Sequence, residues 1–252
     1  MSDRRTHKIS AQGELLNDFK QGVLACEKIT QLNWVCLRFA SRIGVKAIAY
    51  HHLPAIGSGE PIGLNLICVG FPAELVSHFE DQKIIRIEPT IHEILSGGKA
   101  QWWDEAARPK RMSKAEREYL KFAASKVGTG LHLPTYGPNG RQGYVSMGFG
   151  AERPHFDEVD MATVQLCCQI AHQHCCQLLH RPLKPSTRLS PREREILSWV
   201  AEGKSNGVIA EILHIAESSV ITYLERAFRK LDVDSRVTAA MRASALGQLR
   251  HM

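Results

Sequence analysis

No apolar run in the chain approaches the roughly 18 residues that span a bilayer. The charged start from Met1 to Thr6 is followed by Lys8, Ser10 and Gln12 rather than an apolar core, so no secretory leader is expected either. A cytoplasmic location, with no membrane partner, is the expectation. The seven cysteines are an odd number without the spacing of a small cross-linked scaffold, so they read as reduced thiols serving as small core hydrophobes. No Ser/His/Asp set, phosphate loop or paired-carboxylate site stands out, which argues against an enzyme. Fixed-period repeats and low-complexity tracts are also missing.

What is there suits two globular domains. The chain has 252 residues, 44% hydrophobic and 23% charged, enough for each part to bury its own core. The net charge of +6 favours an anionic partner. Ten Lys and Arg against eight Asp and Glu from Ser186 onward contribute only +2 of it, so a nucleic-acid reading has to rest on pattern.

Arg181 to Arg188 holds two prolines and several polar residues between helical patterns, which reads as a linker. The expected division is a first domain over 1–182, a linker over 183–188 and a second domain over 189–252. Upstream, Gly13 to Ala25, Leu32 to Arg42, Phe71 to Asp81, Ser113 to Lys126 and Phe156 to Leu179 show helical spacing. Lys46 to His51, Gly63 to Val69, Gly130 to Tyr136 and Gly143 to Gly148 are short apolar runs suited to strands. Gly137-Pro138-Asn139-Gly140 makes the last two a hairpin. The predicted fold class is α+β: an N-terminal α/β/α sandwich with an antiparallel sheet, plus an all-α C-terminal domain of about four helices.

In that C-terminal part, Ser190-Pro191-Arg192-Glu193 offers an N-cap, a proline at the first helical position and an acidic first turn. Ile196, Leu197, Val200 and Ala201 supply an inward stripe, ended by Gly203. A second helix, Asn206 to Leu213, is expected to bury Ile209, Ala210, Ile212 and Leu213. A third, Glu217 to Leu231, turns Val220, Leu224, Ala227, Phe228 and Leu231 inward. Its opposite face carries Ser218, Thr222, Glu225, Arg226 and Arg229, which fits either a major groove or plain solvent. Ser218 and Ser219 sit where free backbone N–H groups suit a phosphate.

The run Leu189 to Leu197, with Ala201 to Asn206, Ile209-Ala210, Ser219-Val220, Tyr223-Leu224, Arg229-Lys230-Leu231 and Ser235-Arg236, closely resembles the LuxR-type helix-turn-helix. The resemblance covers about sixty residues. It implies base contacts from Ser218, Ile221, Thr222, Glu225 and Arg226, and backbone contacts from Lys204, Arg229, Lys230 and Arg236. It also implies a homodimer on a double-stranded inverted repeat with half-sites about 10 bp apart. Val208 and Glu225 depart from the family's usual Glu and frequent base-reading Arg, so the operator is expected to be unusual.

Phe71-Pro72, Leu75, Phe79, Glu88-Pro89, Trp103, Gly130 to Pro134, Gly137 to Gly140 and Ser146 follow in order. They resemble the acyl-homoserine-lactone-binding domain of quorum-sensing regulators. The resemblance implies ligand contacts from Phe71, Leu75, Phe79, Glu88, Trp103 and Ser146. Typical members place a Trp at Leu75 and a Tyr at Phe79, which donate to ligand carbonyls, and an Asp at Glu88. The first two donors are lost here, which costs about 1 to 3 kcal/mol for each carbonyl left unsatisfied. The chain thus looks like a LuxR solo: it takes an acyl-homoserine lactone or another small apolar ligand, or works without one around a vestigial pocket. Leu75 and Phe79 fit plain core packing at i, i+4 equally well. No cofactor is expected.

Cys167-Cys168 to His172 and His174-Cys175-Cys176 suggest metal or thiol chemistry. One helix cannot wrap four ligands around an ion, so core or dimer packing is the favoured reading and a thiol- or metal-responsive regulator the lesser one. His51 and His52 face opposite sides of a strand and are expected to be structural.

Overall fold

The computed structural model describes residues 2–59, 64–80, 95–106, 114–179 and 187–249. The chain divides into two compact units. One comprises Met1–Leu53, Ile62–Gly137 and Gln142–Leu179; the other comprises Pro54–Pro61, Pro138–Arg141 and His180–Met252. Of the expected linker, residues 183–186 lie outside the described residues.

The first unit is built on α1 (Ser2–Leu24), α2 (Ile29–Arg42), β1 (Ala47–Leu53), β2 (Leu64–Val69), α3 (Ala73–Glu80), β3 (Gln101–Trp102), α4 (Trp103–Ala106), α5 (Lys114–Val127), β4 (Thr129–Tyr136), β5 (Gln142–Gly150) and α6 (Glu158–Leu179). Its strands run in the order β2-β1-β5-β4-β3, with every neighbouring pair antiparallel. The turn between β4 and β5 carries Asn139 at φ 58° and Gly140 at φ 77°, left-handed positions that asparagine and glycine tolerate best.

One face of the sheet presents Ile48, Tyr50, Leu131, Leu133, Val145 and Met147 to α1, α2 and α6, whose Phe19, Val23, Leu32, Phe39, Val164 and Cys168 complete the main core. Across the sheet, Ala47, Leu75 and Val127 form a smaller cluster with Phe71, Trp103, Phe122 and Ala123 from α3, α4, α5 and the chain before α3. The expected α/β/α layering is what forms. β3 and α4 were not expected: elements of two and four residues are too short for hydrophobic periodicity to register.

The second unit packs α7 (Pro191–Ala201), α8 (Asn206–Leu213), α9 (Glu217–Leu231) and α10 (Arg236–Ala245) around Ile196, Leu197, Ile209, Val220, Leu224 and Ala239. The Ser190 hydroxyl accepts from the Glu193 N–H at 3.3 Å, and the Glu193 carboxylate accepts from the Ser190 N–H at 2.7 Å. Two orphan donors of α7 are thus satisfied reciprocally. Two residues expected inside are not. Ile212 is exposed, because Ile209, Ala210 and Leu213 define the buried arc of α8 and position 212 lies about 110° from its centre. Ala201, the last residue of α7, is exposed for the same angular reason.

Among the described residues no single helix is long and apolar enough to cross a membrane.

Candidate ligand face and nucleic-acid interface

Strand register decides which side chains meet on the sheet face that carries the smaller cluster. Ala49, Ser146, His132 and Gln101 pair across four strands, and His51, Tyr144 and Pro134 pair across three. Paired residues share a face, so Ser146, His132, His51 and Tyr144 come together there, all buried. The Trp103 indole N–H donates to His132 Nδ1 at 3.2 Å, and the Tyr144 hydroxyl lies 2.8 Å from the same nitrogen. An indole nitrogen can only donate, which assigns Nδ1 as an acceptor and puts the proton of the neutral ring on Nε2. Burial pulls His132 down to about 3, helped by the neighbouring His51, and pulls His51 down to about 4. Both rings are neutral near pH 7.

Trp103 explains two glycines. A Cβ on Gly130 would fall 2.2 Å from the indole ring, and one on Gly148 3.3 Å from it. Leu75 is fully buried against Ala47, Val127, Phe71 and Phe122, so this position forms an apolar wall. Among the described residues, the buried Oε1 of Gln101 has no hydrogen-bond partner, an acceptor left over on the row of His132 and Ser146. Phe79 belongs to α3, but its side chain lies outside the described residues, and so does Glu88. Lys126 forms an ion pair with Glu74 at 2.8 Å, bridging α5 to α3.

On the opposite face, Tyr50 Oη lies 2.6 Å from His172 Nδ1 and 3.3 Å from His52 Nδ1, and Cys176 Sγ lies 3.5 Å from His172 Nε2. The nearby void lined by Cys36, Tyr50, Met147 and His172 measures about 40 Å³, room for water and not for an acyl chain. Burial raises the thiols of Cys36, Cys167 and Cys175 to about 12, and Cys168 is also raised. These four are poor nucleophiles.

In the second unit, α8 and α9 meet at 109° across the three-residue turn His214 to Ala216, within the usual range for a helix-turn-helix. On α9, Ser218, Ile221, Thr222, Glu225, Arg226 and Arg229 are exposed along one face, and Ser219 is half-buried. The Thr222 hydroxyl donates to the Ser218 carbonyl at 2.9 Å. Ala216 provides no side-chain cap, which leaves the N–H groups of Glu217 and Ser218 without an intrahelical acceptor, while the Ser219 N–H donates to the Ala216 carbonyl at 2.9 Å.

The remaining basic residues differ in their commitments. Lys204 is exposed, while Arg236 donates to the Lys204 carbonyl at 2.5 Å. Lys230 donates to the buried carboxylate of Glu193 at 2.7 Å. Burial opposes the charge on Glu193. Hydrogen bonds from Lys230 and Ser190, with the ammonium charge, outweigh it and hold the carboxyl below its ordinary value. Lys230 therefore braces α9 against α7, a role its sequence neighbours do not reveal.

Residues 29–175 match the autoinducer binding domain, and residues 187–243 match the bacterial regulatory proteins of the luxR family. The chain belongs to the LuxR family. It is a DNA-binding transcriptional regulator of the quorum-sensing type. The transcriptional activator BjaR1 of Bradyrhizobium diazoefficiens is 26% identical over 223 residues, 88% of this chain and 90% of that protein. The quorum-sensing regulator RhlR of Pseudomonas aeruginosa is 30% identical over 181 residues, 70% of this chain and 73% of that one. Escherichia coli SdiA shares the fold at TM-score 0.71 and 22% identity, covering 96% of this chain and 99% of its own. SdiA in complex with octanoyl-rac-glycerol gives TM-score 0.68 at 21% identity, covering 97% and 98%.

Within this LuxR-family frame, Leu75, Phe71 and Trp103 meet in one cluster, and Ser146 reaches the same face through the sheet register. His132, Tyr144, His51 and Gln101 are the residues that sequence reasoning missed there. The available signal was the alternation of polar with apolar residues in Leu131-His132-Leu133 of β4 and Val145-Ser146-Met147 of β5, which is easily taken for ordinary solvent exposure.

Proposed function

We propose that the protein is a cytoplasmic homodimer that binds an inverted-repeat operator through α9 of each protomer. We also propose that its N-terminal unit takes a small acylated ligand whose head group carries hydroxyl or N–H donors. The observation that carries the ligand reading is the buried polar row Ser146, His132 and Gln101 beside the apolar wall of Leu75, Phe71 and Phe122. Polar anchoring then comes from the strands rather than from α3. A buried acceptor such as Gln101 Oε1 costs free energy until a donor reaches it, and a glycerol head supplies more donors than a lactone does. Phe79 and Glu88 are retained as candidate contacts on the family pattern alone.

For DNA, Ser218, Ile221, Thr222, Glu225 and Arg226 are the proposed base-reading set. Lys204, Ser219, Arg229 and Arg236 are the proposed phosphate contacts, and Lys230 acts mainly through Glu193. Val159 and Leu166, seven residues apart on α6 and both exposed, support self-association through that helix.

Thermal melting of the full-length protein tests the ligand reading with octanoyl-glycerol and a panel of acyl-homoserine lactones. A ligand at 100 times its Kd adds about 2.7 kcal/mol. The expected result is a shift with the acyl-glycerol larger than with any lactone. A second reading rests on the Trp103 N–H, which His132 already accepts: the face is closed and regulation is independent of ligand. Unshifted melting with every compound, together with full operator binding, would establish that second reading.

A further inference from the structure

The face of the sheet opposite the ligand row gathers donors from two chain segments. His52 stands on β1, and His172 and Cys176 stand one turn apart on α6. All three are buried, and one ligand atom from each lies within 4.8 Å of the others. The objection that a single helix cannot surround an ion therefore does not apply, because β1 approaches from another direction. We propose that His52, His172 and Cys176 form a zinc site in the core of the sensor unit.

Three observations support this. First, zinc bonds of about 2.3 Å to sulfur and about 2.05 Å to nitrogen, at the tetrahedral angle, set an N···S edge of about 3.6 Å. His172 Nε2 and Cys176 Sγ already stand 3.5 Å apart. Second, Tyr50 Oη engages His172 Nδ1 at 2.6 Å, which orients the ring with Nε2 toward Cys176, as outer-shell partners of metal-bound histidines do. Third, the backbone makes room for these side chains. A Cβ on Gly137 would lie 2.7 Å from Cys176 Sγ and 2.8 Å from His172 Nε2, and one on Gly143 would lie 2.5 Å from His172 Nδ1.

Beside Gly143 stands the Thr135 hydroxyl, fully buried and without a hydrogen-bond partner among the described residues. Two imidazoles and a thiolate select zinc over calcium or magnesium, which prefer oxygen. Three protein ligands leave a fourth position for water. Binding takes the proton from the Cys176 thiol, forms the Zn–S bond and releases that proton to solvent. The ion would tie β1 to α6.

The test titrates EDTA-treated, reduced full-length protein with zinc, and separately with cobalt, whose thiolate charge-transfer absorption reports a Co–S bond. The expected result is one zinc per protomer and a cobalt–thiolate band in the wild type and in Cys168→Ser. In Cys176→Ser the band should vanish, and in both Cys176→Ser and His52→Gln zinc affinity should fall at least tenfold. Absence of the band in the wild type overturns the proposal without recourse to any variant. Equal zinc binding by wild type and Cys176→Ser, or loss of the band in Cys168→Ser with circular dichroism unchanged, would overturn it too.

Discussion

The two units bury polar groups in opposite ways. In the helical unit the buried carboxylate of Glu193 is charged, capped by Ser190 and matched by Lys230, while the residues proposed to recognise DNA stand outside on α9. In the sheet unit the buried polar groups are neutral rings and hydroxyls, and the residues proposed to recognise a ligand are themselves part of the core. The difference teaches that recognition and stability are separable in one unit and merged in the other. Substitutions on the exposed face of α9 should change what is bound and leave folding alone. Substitutions on the ligand face should change both.

Acid gives the largest expected contrast. His51 and His132 titrate near 4 and near 3 in the folded chain against an ordinary value of 6.5. The unfolded chain therefore takes up protons first as the pH drops below 6.5, so the stability these rings supply is complete above 6.5 and is lost progressively toward 4 and 3. At pH 5 the loss is about 2 kcal/mol per histidine. Glu193 is also held down, but below an ordinary value of 4.5, so its contribution persists until the pH falls below that value. Hydrogen exchange resolved by unit, at pH 7 and pH 5, should show protection falling in the sheet unit alone. Equal loss in both units would break the comparison.

Next in size is Gly130→Ala. It forces the Trp103 ring to move and should lower stability by about 1 to 3 kcal/mol in chemical denaturation; an unchanged midpoint would mean that the indole does not hold its place over the strand.

Two adjacent basic residues sharpen the contrast within α9. Lys230→Ala strands the Glu193 carboxylate and should cost about 1 to 3 kcal/mol of stability. Arg229→Ala should leave melting within about 0.5 kcal/mol and flatten the dependence of log K on log salt by about 0.9. Identical behaviour of the two would refute the brace. The smallest effect is expected from Glu225→Gln, which should leave melting unchanged and alter operator preference by about 1 kcal/mol in competition binding.

Local chemistry was readable ahead of the fold. The Ser190-Pro191 helix start and the Gly137 to Gly140 turn depend on a few consecutive residues, so their positions follow directly. Helical stripes were readable to within a residue at the edges, which is where Ile212 and Ala201 departed. The site was less legible because its parts meet through strand register. His132 and Tyr144 have unremarkable neighbours in sequence, and a separation of 120 positions hides the approach of His52 to His172. Lys230 was legible as a basic residue on α9, but its partner sits 37 residues away on α7.

The most direct test of recognition built into the sheet is the octanoyl-glycerol affinity of the full-length wild type beside Ser146→Ala, Gln101→Leu and Leu75→Met, by isothermal titration calorimetry. Ser146→Ala and Gln101→Leu should each weaken binding about 3- to 10-fold, in line with one lost hydrogen bond. Leu75→Met, which conserves volume, should change it less than 3-fold. Undiminished affinity in both strand variants would contradict the account.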